Sequence, residues 1–287
     1  MRLAVMSDVH GNLPALQAVL SDLKQHEPDG IIVAGDLIGG PQVDETVRLL
    51  RSRGSLMIRG NSDSGILRYD AGDMPPHWST HRQFALPRWI HRHLDRKTLD
   101  FIKSLPEQRV VEMADTVAVR IVHGSPRDPS EGIFPYRDPR TLDLALAQTN
   151  EPALLCGHTH IPWKVERDGK LALNPGAVSG SRNGQVGALY ALLTWSDGQW
   201  QVEHLTVPYD LEKIRTAYRE SGLLEEGGAW AQADILGIET GQDALDDFCS
   251  YAYGLAAEAG FQDCDAVPDD VWERATATFG WDSYGGK

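Results

Sequence analysis

The sequence predicts a mixed α/β fold, two mixed sheets packed together with helices outside, followed by a helical C-terminal extension. Three observations lead there. Up to about residue 60, short apolar runs stopped by Gly or a polar residue alternate with amphipathic stretches, the pattern of a βαβαβ unit. From Arg109 onward apolar and polar residues alternate between turn signals, as in paired strands. Beyond Pro208 the apolar residues recur at helical spacing instead.

Each element has a local reason. Residues 2–7 predict the first strand, which turns at Asp8 and Gly11. Leu13, Leu16, Val19, Leu20 and Leu23 predict a helix with Asn12 as N-cap and Pro14 in its first turn. Residues 31–34 form the second strand, residues 43–53 the second helix, and residues 56–58 the third strand. Between Ser64 and Leu105, Pro75-Pro76 marks a break. Phe84, Leu86, Trp89, Ile90 and Leu94 predict a helix that Pro87 starts or kinks, and Leu99, Ile102 and Leu105 continue it. His77, His81, His91 and His93 read as solvent-facing helix residues. Residues 109–113 and 116–122 predict a hairpin across a two-residue turn, Ala114-Asp115. A short helix spans 142–147, and residues 153–156 form another strand. Asp168-Gly169 and Ser196-Asp197-Gly198 signal two more hairpins, and Asn174-Pro175-Gly176 a further turn. Leu211, Ile214 and Tyr218 open the helical part. Leu245, Phe248, Cys249, Ala252, Leu255 and Ala256 form a long stripe, and Pro268 opens a last helix.

Composition excludes several classes. The 287 residues carry a net charge of -14, concentrated in residues 224–287, which hold 14 Asp and Glu against 2 Lys and Arg. Residues 1–223 are nearly neutral, so there is no basic footprint for extended nucleic acid. No apolar run approaches the ~20 residues of a membrane span. Strand pattern from the first residues predicts no secretory signal. Three unpaired-looking cysteines, Cys156, Cys249 and Cys264, point to a reducing, cytoplasmic setting. Cys156, on the strand before His158, reads as core packing.

Five of the predicted strands end in metal-binding residue types. Asp8 and His10 follow the first, Asp36 the second, Asn61 the third, His123 the strand at 117–122, and His158 and His160 the strand at 153–156. Ligands in an open sheet gather beyond the carboxyl ends of its strands. Two Asp, one Asn and four His suit Mn, Fe, Zn or Ni better than Ca or Mg. They are too many for one tetrahedral ion and fit two ions sharing a carboxylate.

The ordered series Asp8-x-His10, Gly35-Asp36, Gly60-Asn61-x-Asp63, His123-Gly124 and Gly157-His158-Thr159-His160 resembles the calcineurin-like metallophosphoesterase superfamily over about residues 1–207. His123-Gly124-Ser125-Pro126-Arg127-Asp128 and Asn174-Pro175-Gly176 resemble its small prokaryotic phosphodiesterase branch. The resemblance implies a four-layer αββα sandwich in residues 1–208; residues 209–287, beyond it, read from their own pattern as an acidic, mostly helical extension. The resemblance further implies that Asp8, His10, Asp36 and His160 hold one divalent transition ion, manganese before iron, nickel or zinc. Asp36, Asn61, His123 and His158 would hold a second, with Asp36 bridging. Asp36, Asn61 and His123 would then serve catalysis through a hydroxide generated between the ions, attacking phosphorus in line. Many superfamily members carry His where this chain has Ser62. Ser62 cannot be cationic and is a poor acid, so the resemblance implies diesters, or esters with acidic leaving groups, as substrates.

Four further residues are candidates for holding a small phosphorylated substrate: Asn12, Ser62, Arg127 and Arg182. Asn12 alternatively caps its helix, and either Arg alternatively sits solvated on a loop. A nucleoside polyphosphate hydrolase, a protein phosphatase and a noncatalytic metal-binding scaffold are the competing readings. The extension is expected to act as a lid or as a homo-oligomer contact, because its apolar stripes must be buried somewhere.

Overall fold

A computed structural model describes residues 1–261 and 266–284, which leaves Cys264 outside the described residues. Strands β1 (Arg2–Met6), β2 (Gly30–Val33) and β3 (Leu56–Met57) alternate with helices α1 (Leu13–Asp22) and α2 (Val43–Ser52); α3 (Asn61–Ala71), α4 (Ala85–His93) and α5 (Arg96–Ser104) follow. The second half supplies β4 (Arg109–Val111), β5 (Val119–Ile121), α6 (Pro139–Ala147), β6 (Ala153–Leu155), β7 (Trp163–Arg167), β8 (Lys170–Asn174), β9 (Ala188–Ser196) and β10 (Gln199–Val207). After these come α7 (Leu211–Glu220), α8 (Leu223–Glu226), α9 (Gly228–Thr240), α10 (Ala244–Glu258) and α11 (Asp269–Thr278).

The strands make two five-stranded sheets, ordered β10-β9-β1-β2-β3 and β4-β5-β6-β8-β7. Both are mixed: β1, β2 and β3 run parallel, as do β5, β6 and β8, and antiparallel strands flank them. Alternation along each strand sorts side chains into layers. Leu3, Val5, Ile32 and Ala34 of one sheet meet Val119, Ile121, Leu155 and Leu173 of the other in the central core. Ala4 and Met6 face the opposite way, onto α1, α2, α4 and α5. Leu154, Cys156 and Ala172 face Leu142, Ala145 and Leu146 of α6. The layers are therefore helix, sheet, sheet, helix, the four-layer sandwich expected, and Cys156 is core packing. None of the helices among the described residues is long and apolar enough to cross a membrane.

The buried cluster under the first sheet does not stop at residue 208. Ile214 and Tyr218 of α7, Leu223 of α8, and Ala231, Ile235 and Ile238 of α9 belong to it. Ala229 and Ala233 on another side of α9 join Phe248, Ala252, Val271 and Trp272 in a second cluster with α10 and α11.

Several local expectations change. Residues 61–71 are helical, where no element was expected before Phe84. So are residues 228–240, since α9 is apolar on two sides and shows no single stripe. The hairpin at 109–121 pairs Val111 with Val119, a register one residue away from that of a two-residue turn at Ala114-Asp115. The strands end early, and Asp115 still turns left-handed at φ 62°. His91 is half-buried rather than simply solvated, lying 3.0 Å from Asp70, whereas His93 is exposed as expected, its ring stacked on Trp89.

Burying a large apolar side chain contributes about 1.5–3 kcal/mol. Deletion of residues 209–287 uncovers the face met by Ile214, Tyr218, Ile235 and Ile238. The truncated chain is expected to lose its cooperative thermal transition or to aggregate, as scored by circular dichroism and light scattering. A monodisperse product with an unchanged melting temperature would contradict this packing.

Candidate metal centre

The carboxyl ends of β1, β2, β3, β5 and β6 lie along one rim, and backbone bonds tie their loops together. The N–H of Asp8 donates to the Gly35 carbonyl at 3.1 Å, those of Val9 and His10 to Asp36 at 2.9 and 3.1 Å, and that of Gly157 to His123 at 2.7 Å. Ser179 N–H closes onto Asp8 at 3.0 Å. Five residues of the series have left-handed backbone: Asp8, His10, Asp36, His158 and His160, with φ between 45° and 67°. Such a conformation costs a non-glycine residue on the order of 1–3 kcal/mol, and clustering of it marks a functional site.

That backbone aims the side chains at one another. His10 Nε2 and His160 Nε2 stand 3.3 Å apart, and Asp8 Oδ1 lies 3.9 and 3.4 Å from them. His123 Nε2 is 3.3 Å from Asp36 Oδ1, 3.8 Å from Asp8 Oδ1 and 3.0 Å from Asn61 Oδ1. Asp36 spans both groups, because its Oδ2 is 3.6 Å from His10 Nε2. Two tight clusters result, Asp8 with His10 and His160, and Asp8 with Asp36 and His123. Asp8 Oδ1 is thus common to both clusters, beside the bridging geometry expected of Asp36. His158 belongs to neither. Its backbone N–H donates to Asp8 Oδ2 at 3.1 Å, and its ring stands edge-on to His123 at the rim, 5.4 Å between centroids.

The donor set fits cations. His10 Nδ1 faces the Ile38 carbonyl at 2.7 Å, His123 Nδ1 faces that of Ala34 at 2.7 Å, and His160 Nδ1 faces that of Gly180 at 2.6 Å. A carbonyl only accepts, so each Nδ1 carries the proton and each Nε2 of a neutral ring offers a lone pair inward. With neutral rings the 3.3 Å approach of His10 and His160 sets two lone pairs against each other, whereas His123, favoured in its protonated form by the two Asp carboxylates, donates Nε2–H to Asn61 Oδ1 at 3.0 Å. Asp8 is fully buried, yet its Oδ1 has no hydrogen-bond partner. An unpaired buried carboxylate oxygen is costly unless a cation meets it. Electrostatics agree. Burial opposes ionisation of Asp8 and Asp36, but the neighbouring histidines outweigh it and hold both well below the usual carboxylate range. Burial likewise opposes a charged His123, and Asp36 and Asp8 together overturn it, raising His123 to about 10.

Supporting residues emerge that had no assigned role. Asp63 is fully buried and accepts from the backbone N–H of Leu37 and Ile38 at 3.0 and 2.9 Å and of Gly60 at 2.8 Å, fixing the loop after Asp36. Burial and the Asp36 charge push it up to about 6. The spacing Gly60-x-x-Asp63 ahead of a helix was the available signal. Asn174 donates to the Gly157 carbonyl at 2.5 Å and to Thr159 Oγ1 at 3.1 Å, holding the histidine loop.

The four substrate candidates all have partners within the protein, and Asn12 takes the helix-cap alternative. Asn12 accepts from Ala15 N–H at 3.1 Å and donates to Ser179 and Tyr209, so it is a buried helix cap. Ser62 donates its hydroxyl to Asp36 Oδ2 at 2.8 Å and its N–H to Oδ1 at 3.0 Å. Arg127 pairs with Glu131, and Arg182 pairs with Asp243 and Asp246 at 3.2 and 3.3 Å. Each is occupied by the protein itself.

Two outcomes test this centre. A Cβ on Gly157 would overlap Ser7 Oγ and come within 2.9 Å of Asp8 Oδ2. Gly157→Ala is expected to cost about 2 kcal/mol or more of stability, read by denaturant titration. A divalent ion at 100 times its Kd should stabilise the protein by about 2.7 kcal/mol. Asp8→Asn is expected to abolish that metal-induced rise in melting temperature.

Comparison with known proteins follows this geometry. Residues 1–198 match the family model described as the calcineurin-like phosphoesterase superfamily domain. An uncharacterized protein of Methanocaldococcus jannaschii is 30% identical over 227 residues, 74% of this chain and 89% of its own length. The crystal structure of a metallophosphoesterase from Sphaerobacter thermophilus superposes with a TM-score of 0.67 at 30% identity, covering 84% of this chain and all of that one. A hypothetical protein from Pyrococcus horikoshii OT3 shares the fold at TM-score 0.68 and 22% identity, over 84% of this chain and 98% of its own. With two mixed sheets, a rim of Asp, Asn and His, and a domain match over most of its length, the chain belongs to the calcineurin-like phosphoesterase superfamily.

Proposed function

We propose that the protein is a divalent-metal-dependent phosphodiesterase. Asp8, His10, Asp36, Asn61, His123, His158 and His160 hold two transition ions, with manganese taken before iron, nickel or zinc; oxygen and imidazole donors suit all four. Such ions supply an acidic water near neutral pH and positive charge for phosphoryl oxygens. Asp36, gripped by Ser62, and His123, fixed by the Ala34 carbonyl, keep the donor atoms in place.

The single observation that carries the diester reading is the engagement of Ser62. Its hydroxyl is committed to Asp36, and it offers no ionisable proton to a departing oxygen. The other rim groups reinforce this. His158 is held below its ordinary pKa by burial and by His123, and is neutral at pH 7. Arg127 and Arg182 are both spent on carboxylates. A diester carries one negative charge and a monoester about two near neutrality, so a site whose two candidate arginines are already paired favours the diester. Free thiols at Cys156 and Cys249 support a reducing compartment such as the cytoplasm.

Two assays test the proposal. Chelation is expected to abolish turnover and manganese to restore it. Across a series of aryl methyl phosphodiesters, kcat/KM should fall steeply as the leaving group becomes more basic. Faster cleavage of alkyl monoesters than of aryl diesters would overturn the assignment.

A further inference from the structure

We propose that residues 180–185 act as a strap through which the C-terminal helices set His160, and that Arg182 is the positioning residue that locks it. This rests on the metal-centre reading above. On one side the strap holds the ligand: the Gly180 carbonyl accepts the Nδ1 proton of His160 at 2.6 Å, and Arg182 N–H donates to the His160 carbonyl at 3.3 Å. On its other side it is bound to the corner between α9 and α10. Arg182 Nε lies 3.2 Å from Asp243 Oδ1 and Nη1 lies 3.3 Å from Asp246 Oδ2. Gly184 N–H donates to the Gly241 carbonyl at 2.9 Å. Ile238 packs against Gly180, 3.7 Å from where a Cβ would stand.

The clamp is more than a surface pair. The Arg182 side chain is only 20% exposed and meets two carboxylates presented by one helix start. Asp243 is itself fixed there as the N-cap of α10, accepting from Asp246 N–H at 3.3 Å. Loosening the corner frees the Gly180 carbonyl to move, and with it the partner that keeps His160 in the ligating tautomer and orientation. Groups of this outer kind typically govern ~10–100-fold in metal affinity. Coupling of two sites is reciprocal. If the corner orders His160, then an ion on His160 must in turn order the corner.

The test uses the full-length protein with Mn²⁺ as the probe. Calorimetric titration is run on Arg182→Ala, on the Asp243→Asn/Asp246→Asn pair, and on the triple variant. Hydrogen exchange is followed over residues 180–185 and 238–247 with and without the ion. Affinity for one of the bound ions is expected to fall about tenfold in each variant, without further loss in the triple. In the unmodified protein the ion should slow exchange at 238–247, and Arg182→Ala should remove that protection. Should Arg182→Ala fail to fold, Asp246→Asn at its exposed position carries the same expectation in weaker form. Full affinity in the clamp variants, or exchange at 238–247 indifferent to the ion, overturns the strap while leaving the metal centre standing. No Mn²⁺ binding by the unmodified protein overturns the metal-centre reading and the strap together.

Discussion

Asp8 is ionised, completely buried, and has an oxygen that no protein donor satisfies. Few groups are more expensive for a fold to hold. The surroundings fit a cation that would offset the cost. Imidazole nitrogens of His10, His123 and His160 ring that oxygen at 3.4–3.9 Å, and they come from strands far apart in the chain. Bringing strand ends to one rim requires that the strands run parallel, and parallel neighbours require crossovers such as α1 and α2. The architecture follows that division of labour. Strands β1, β2, β3, β5 and β6 deliver every member of the donor set, whereas the antiparallel flanking strands β4, β7, β9 and β10 deliver none.

The same demand explains the local strain. A side chain leaving the end of a strand in extended conformation would point across the sheet, not along the rim. Left-handed backbone at Asp8, His10, Asp36, His158 and His160 turns each residue toward its neighbours. The loops can bear this because Asp63 and Asn174 satisfy their buried backbone groups, with Asp63 alone accepting from three N–H donors.

What the sequence disclosed follows from these constraints. Strands buried on both faces read as apolar runs, and the turns at Asp168-Gly169 and Asp197-Gly198 need left-handed residues that Asp and Gly tolerate, here with φ of 52°, 74°, 54° and 78°. Ligands were legible because Asp and His at strand ends are chemically conspicuous. Their outer partners were not, since Ala34, Ile38 and Gly180 act through carbonyls that any residue possesses. Helix α3 hid because its first turn faces the metal centre and not a core. Helix α9 hid because two clusters share it. The slip in the β4–β5 hairpin is a loop effect: a turn signal fixes the reversal, but short strands around it leave register to the sheet. Arg182 looked free because its acidic partners lie some sixty residues away in another element.

Charge placement then bears on what the rim admits. Two divalent cations exceed the two Asp carboxylates, so on the proposed reading the centre is locally positive inside a protein whose net charge is -14. Arg127 and Arg182 do not spread this field outward, being neutralised by Glu131, Asp243 and Asp246. A substrate therefore meets attraction only at short range, within a Debye length of about 8 Å at physiological salt, and acidic helices beyond it. A long polyanion gains at one phosphate and is repelled along the rest. On that reading a small ester with a single negative charge would keep the gain and avoid the repulsion, so the tail would act on substrate choice by its charge even where it touches nothing that reacts.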